Sequence, residues 1–247
     1  RPQRHLRAVH AARGNCALDR AGDGWPAGAR RGGPIGLSIS DDGGKTWKAG
    51  APSFPDTTGA QTFMELTFGS SGLHMVWLER RDRTQSLRYA ASPDGGFTWG
   101  APRPLAPSTC DCCWNSLAVS PEGEIATLYR GEQPRDMMLV TSKNGTAWRQ
   151  TGSIGGFGWN LRGCPHVGGG LVHSGKALHT LVWTGKDDVA GLYYLSSTDS
   201  GSSWSKPFRM GAQDAKNPDL ARGTVMVPRG EWFEYKYGRG DWNTVEK

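Results

Sequence analysis

SPDGGFTW, at Ser92–Trp99, has counterparts in SDDGGKTW (Ser40–Trp47), SKNGTAW (Ser142–Trp148) and STDSGSSW (Ser197–Trp204). Each phrase places a serine, then an acidic or amide side chain two residues on, then glycine, and closes on tryptophan. A short carboxylate or carboxamide in that position accepts backbone amide bonds across a tight turn, and glycine permits positive φ. We therefore expect Asp42, Asp94, Asn144 and Asp199 to tie four hairpins. Trp47, Trp99, Trp148 and Trp204 should plug each hairpin against its sheet. These aspartates are structural, not catalytic.

The closing tryptophans recur at intervals of 52, 49 and 56 residues, the length of one four-stranded propeller blade. Between the phrases the chain reads as strands: LHMVWLE (Leu73–Glu79), SLRYAAS (Ser86–Ser92), EIATLYR (Glu124–Arg130) and ALHTLVW (Ala177–Trp183). All are rich in β-branched, aromatic and alternating residues between turn signals. No segment carries a sustained helical period with caps. Each unit parses as strand A, a glycine turn near Gly14, Gly72, Gly123 or Gly175, strand B, a loop, strand C, the hairpin phrase and strand D. A fifth unit begins near Asn217 and lacks the phrase. The expected fold is all-β: one domain over residues 1–247, a β-propeller of five blades with four-stranded antiparallel sheets, or of six if the ends combine differently.

Composition agrees with that reading. The chain has 247 residues with 36 glycines, suited to many hairpins, and 11 tryptophans and seven phenylalanines supply core material. No run approaches the roughly 18 apolar residues of a membrane helix. The formal charge of +6 is diffuse, without the basic–aromatic interleaving of a specific nucleic-acid binder. Five cysteines cannot all pair within one chain. A disulfide from Cys112 or Cys113 to Cys164 suits an oxidising compartment. Together with a start at Arg1 in place of methionine, this leads us to expect a periplasmic or secreted protein.

The repeated phrase resembles the Asp-box, or BNR, repeat of the sialidase-like propellers, directly over about residues 35–205. TCDCCWN (Thr109–Asn115) and GCPH (Gly163–His166) look like a bacterial exported subgroup of that family. The resemblance implies a fold more than an activity, since one fold hosts many functions. A sialidase of this type would hold a sugar carboxylate with three arginines, for which Arg20, Arg80 and Arg130 are the candidates. It would also need a tyrosine–glutamate nucleophile pair, here Tyr235 or Tyr237 with Glu234 or Glu231. A loop acid would come from Asp23, Asp56 or Asp82. Strand alternation puts Glu234 on the face opposite both tyrosines, which weakens that assignment.

Counting back about ten residues from each A–B turn locates the starts of the innermost strands, which ring one mouth of the channel. The count gives Arg4 or His5, Thr62 to Glu65, Cys112–Cys113, Cys164–His166 and Pro218–Asp219. Residues more than 50 positions apart thus become neighbours. Thiolates with an imidazole suit copper or zinc. We expect a metal centre of Cys112, Cys113, Cys164 and His166, copper first and zinc as the alternative, with Cys110, Met64 and His5 in reserve. A disulfide staple between the third and fourth blades is the competing reading. Cys164 with His166 could also form a nucleophilic pair, though no orienting third residue is identifiable. Cys16 reads as core, and His74 and His179, at matching strand positions, read as packing residues. The functional expectation is soft-metal transport, storage or redox work. The alternatives are a hydrolase of anionic glycans and a disulfide-stapled binding propeller without catalysis. The corresponding partners are a small ligand, a metal-delivery protein or a glycan.

Overall fold

The computed structural model describes residues 8–13, 35–40, 46–50, 60–81, 84–211, 215, 216 and 218. The fifth-unit expectation therefore lies outside the described residues. Four antiparallel sheets and no helix are present among those residues, and the fold is a β-propeller. The second sheet comprises β4 (Ala60–Gly69), β5 (Gly72–Arg81), β6 (Thr84–Ser92) and β7 (Arg103–Ala106). The third comprises β8 (Ser116–Val119), β9 (Ile125–Arg130), β10 (Met137–Ser142) and β11 (Arg149–Ser153). The fourth comprises β12 (Gly170–Ser174), β13 (Ala177–Thr184), β14 (Gly191–Ser197) and β15 (Phe208–Met210). In each, sequence order is spatial order. Strands β4, β8 and β12 abut one another across blades and form the inner wall.

The first sheet departs from the expected parse. β1 (Ala8–Arg13) pairs directly with β2 (Ile35–Ser40), the strand that leads into the first hairpin phrase, and β3 (Lys48–Ala49) follows. By analogy with the other sheets, β1 holds position B, not the innermost position A. The reason is its pairing partner: a strand bonded to the one before the hairpin phrase must be second. The candidate ligand His5 and residue Cys16 lie outside the described residues.

The hairpins are built as the repeated phrase requires. Asp94 Oδ1 accepts from Phe97 N at 3.1 Å, Thr98 N at 2.8 Å and Ser92 Oγ at 2.8 Å, while Thr98 Oγ1 donates to Oδ2 at 2.7 Å. Asp199 repeats this with Ser203 N at 2.9 Å, Ser203 Oγ at 2.6 Å and Ser197 Oγ at 2.8 Å. Asn144 does it with a carboxamide, accepting from Thr146 N at 3.0 Å and Ala147 N at 3.2 Å. In these three hairpins the opening serine accepts from the glycine amide, of Gly96, Gly145 and Gly201, at 2.7, 2.9 and 2.9 Å; Asp42, expected to tie the first hairpin, lies outside the described residues.

The tryptophans pack between sheets, not merely onto their own. Trp99 closes a core of Ile35, Met75, Trp77 and Ala90 that joins the first and second sheets. Trp148 lies against Tyr89 of the second sheet, edge to face at 4.7 Å, within a cluster shared by the second and third. Trp204 does the same for the third and fourth. Trp47 is 46% exposed, and the hairpin it was expected to plug lies outside the described residues. His74 and His179 are packing residues as expected: each bonds a tyrosine fifteen residues on, Tyr89 at 2.7 Å and Tyr194 at 2.6 Å.

Gly145 takes φ +72°, and a Cβ there would stand 2.8 Å from Tyr89 Oη, which the bond to His74 holds in place. Gly175, at φ +60°, has no atom within 4 Å of that position. Gly175→Ala should cost about 1 kcal/mol of left-handed strain alone. Gly145→Ala should cost at least ~1 kcal/mol more because it also overpacks; urea melts of the two variants test the difference.

The hairpin bonds hold the Asp94 and Asp199 carboxyls down at about 2, against 3.8 for the free group, Asp94 chiefly through Thr98 and Asp199 chiefly through Ser203. A depressed folded value means stability present above 3.8 and lost as pH falls through about 2. A double Asp94→Asn, Asp199→Asn variant, copying Asn144, should fold and show a flatter decline of the thermal midpoint over that acid window.

Candidate functional site: a four-cysteine centre between two blades

Two segments ahead of inner strands β8 and β12 meet at the junction of the third and fourth sheets. The sulfurs of Cys110, Cys112, Cys113 and Cys164 all lie within 4.8 Å of one another. Cys112 and Cys164 are joined by a disulfide that spans 52 residues, with Cα atoms 6.4 Å apart. Cys110 and Cys113 are free thiols and buried, with sulfurs 2.8 Å apart. Cys110 Sγ also stands 3.5 Å from Cys164 Sγ and 3.9 Å from Cys112 Sγ. The bonded pair is half-buried and the free pair is 1% exposed, so the centre has an outer and an inner face.

Backbone bonds fix the first segment. Thr109 N donates to Gln85 O at 3.2 Å and Cys110 N to Arg130 O at 2.9 Å. These bonds tie the cysteine run to the ends of the second and third sheets. Asn115 Nδ2 donates to the Phe63 carbonyl at 2.8 Å, and Trp114 meets the Phe63 ring edge-on at 5.1 Å. Phe63 itself sits at φ 52°, in an irregularity of β4. The second segment is held by close approach: a Cβ at Gly168 would stand 2.7 Å from Trp114 O, and one at Gly169 would stand 2.7 Å from Leu181 O. Ser116 Oγ donates to Gly169 O.

Arg130 closes the junction from beneath. It is 1% exposed. Its Nε donates to Val167 O at 2.8 Å, its Nη2 to Trp183 O at 3.0 Å and its Nη1 to Arg135 O. The guanidinium also lies over Trp159, 5.7 Å from the ring centre. Burial pulls its pKa down, opposed first by the Cys113 and Cys110 sulfurs and then by Asp136. Asp136 is itself spent on structure, accepting from Ser153 Oγ, Gly158 N and Trp159 N at 2.7, 2.7 and 3.0 Å.

The thiol pair is polarised. Cys110 is held down at about 7, first by the Cys113 thiol that donates to it, then by the Cys112 amide and the Arg135 and Arg130 charges. Cys113 is pushed up because Cys110 accepts its proton and burial disfavours a second charge. Three buried polar atoms around the centre lack a partner among the described residues: Thr109 Oγ1, Asn115 Oδ1 and Arg135 Nη1.

The structure thus assembles Cys112, Cys113 and Cys164 as expected and adds Cys110, which sequence reasoning held in reserve. His166 is not in the sulfur group. It takes φ 56°, and it is exposed. Met64 packs on the Ile35–Trp77 core instead. With Cys164 in a disulfide, it is not a free nucleophile beside His166. Of the three arginines, Arg20 lies outside the described residues, Arg80 is exposed, and Arg130 is committed to carbonyls. The tyrosine, glutamate and aspartate candidates for glycan chemistry also lie outside the described residues. The role of Arg130 is what sequence reasoning missed.

Among solved structures, NanB sialidase from Streptococcus pneumoniae aligns with a TM-score of 0.51 and 16% identity, over 73% of this chain and 29% of that one. A protein of unknown function from Dyadobacter fermentans DSM 18053 aligns with a TM-score of 0.52 and 17% identity, over 87% and 65%. The Hadza microbial sialidase Hz136 aligns with a TM-score of 0.47 and 14% identity, over 70% and 40%. The fold is that of the sialidase-like propellers. At these identities the likeness concerns fold alone, and the chain spans 29–65% of the lengths of these neighbours. No protein-family model and no curated protein matches the chain. No helix of the described residues is long and apolar enough to cross a membrane.

Removing the Arg130 head group strands three carbonyls, that of Val167 buried and those of Arg135 and Trp183 half-buried, and a buried carbonyl costs about 1–3 kcal/mol when unsatisfied. Arg130→Met should therefore destabilise the fold by about 3 kcal/mol or more in denaturant melts and increase alkylation of Cys110 and Cys113. Arg80→Met, at an exposed site, should change neither.

Proposed function

We propose that the chain, with its four clustered cysteines reduced, is a soft-metal-binding propeller for copper or zinc. The observation that carries the reading is the convergence of four sulfurs from segments some 50 residues apart within 4.8 Å. A tetrahedral thiolate site with metal–sulfur bonds of ~2.3 Å brings its sulfurs to about 3.8 Å apart, so small side-chain movements suffice. Soft sulfur donors select monovalent copper or zinc over magnesium or calcium. Arg130 and the unpartnered Nη1 of Arg135 supply positive charge beside an anionic thiolate cluster. Cys110, Cys112, Cys113 and Cys164 are the ligands in this reading, and His166 is dispensable. Delivery by a metal-carrying partner in the periplasm or outside the cell, and a transport, storage or redox role, complete the proposal. It also places the chain in the Asp-box subgroup that carries a CDCC segment.

Hydrolysis of anionic glycans is the second reading. It draws support from the sialidase-like fold alone, and the burial of Arg130 counts against the arginine trio it needs.

Metal content measured by plasma mass spectrometry, on protein reduced and reconstituted anaerobically with copper(I) or zinc, tests the first reading. One ion per chain is expected. Alanine at any of the four cysteines should weaken binding by more than the ~10–100-fold typical of losing an outer-shell partner, with His166→Ala near the unsubstituted value. No bound ion in the reduced chain would overturn the proposal, and release of sialic acid from a synthetic glycoside would then favour the second reading.

A further inference from the structure

The arrangement of one disulfide and two free thiols has a chemistry of its own that needs no metal. The Cys112–Cys164 bond faces outward, half-buried, and the free sulfurs sit behind it. Thiol–disulfide exchange requires an attacking sulfur in contact with a bonded one. Cys110 Sγ meets that condition, 3.5 Å from Cys164 Sγ; it also stands 3.9 Å from Cys112 Sγ, beside the bond, so its side chain must turn into line with the Cys112–Cys164 bond before it attacks. Cys113 Sγ in turn stands 2.8 Å from Cys110, placed to attack second.

We infer that the four cysteines form an internal thiol–disulfide relay, in which Cys110 carries the bond from the outer Cys112–Cys164 pair to the inner Cys110–Cys113 pair. In the first step Cys110, as thiolate, attacks Cys164 Sγ. The Cys110–Cys164 bond forms, the Cys112–Cys164 bond breaks, and Cys112 leaves with the electron pair and takes up the proton that Cys110 gave. In the second, Cys113 attacks Cys110 Sγ; the Cys110–Cys113 bond forms and Cys164 leaves as a thiol. One disulfide and two thiols stand on each side, so no outside oxidant or reductant enters. The product presents Cys112 and Cys164 as an outer dithiol at the junction of the third and fourth blades. Its substrate class is a disulfide. The external S–S bond is reduced to two thiols as the Cys112–Cys164 bond re-forms, and the chain ends with two disulfides.

The proposal concerns the metal-free protein, so it stands or falls independently of the metal reading. Protein stripped of metal and free of added reductant is treated with iodoacetamide, and each cysteine is followed over time by peptide mass spectrometry. Cys112 and Cys164 should become labelled although they begin bonded. Cys110→Ser should slow that labelling at least ~10-fold, with circular dichroism reporting that the variant is folded. Cys113→Ser supplies an asymmetric signature that a folding defect does not mimic: the relay halts at the Cys110–Cys164 bond, so Cys112 labels and Cys164 does not. Absence of label on Cys112 and Cys164 in the unsubstituted chain would overturn the relay. So would equal rates in a folded Cys110→Ser variant, or equal labelling of Cys112 and Cys164 in Cys113→Ser.

Discussion

The buried guanidinium of Arg130 is the interaction on which the junction of the third and fourth blades depends. Taking such a charge out of water costs several kcal/mol unless its donors are matched. Here the acceptors are the carbonyls of Arg135, Val167 and Trp183, drawn from both blades. Charge-assisted bonds of this kind are worth about 1.5–3 kcal/mol each. Because Val167 follows closely on Cys164, fixing its carbonyl also fixes the segment that delivers the fourth sulfur. The backbone carbonyl of Arg130 meanwhile receives the amide of Cys110. One residue thus sets the distance between the two cysteine-bearing segments.

The rest of the scaffold makes that placement rigid. Each blade completes the core of the one before it, through Trp99, Trp148 and Trp204, and the hairpin that carries each tryptophan is locked by its own carboxylate or carboxamide. Strands such as β9 are buried on both faces, which is the pattern of a sheet sandwiched between neighbours. A site built on the approaches to inner strands inherits that rigidity while its sulfurs remain reachable from one side. The interlocking is local and repeated: a side chain added at Gly145 strikes Tyr89 of the preceding blade.

The hairpins were legible in the sequence because their chemistry closes within eight residues and recurs. The convergence of Cys112, Cys113 and Cys164 was legible because the blade period locates inner-strand approaches without any side-chain detail. What escaped depends on contacts that no local pattern carries. β1 was assigned to the inner position because nothing in Ala8–Arg13 names its partner, and its bonding to β2 moves it outward. His166 was a candidate because the blade count places it beside Cys164 at the start of an inner strand; at φ 56° it is exposed and stands outside the sulfur group. Cys110 was held in reserve because the same count points to Cys112–Cys113, two residues further on, and contact with all three other sulfurs brings it in. Arg130, at a strand end, read as a group facing an anionic ligand. Its burial follows from three carbonyls supplied by residues 5 to 53 positions away.

The distribution of bonds across the junction explains how a cysteine centre could change state without loss of the fold. In the chain-entropy account, a disulfide closing a loop of this length contributes on the order of 4 kcal/mol. The Arg130 bonds are of comparable total size, and Ser116 to Gly169 adds another tie between the blades. The two blades also share one apolar cluster, from Leu128 and Leu139 to Leu178 and Leu195. Opening the Cys112–Cys164 bond therefore removes one constraint among several that act in parallel. Were the disulfide the sole connection, reduction would separate the segments and scatter the sulfurs. With the junction held independently, the sulfurs stay in reach of one another after the bond is broken, which both a four-thiolate site and an exchange relay require.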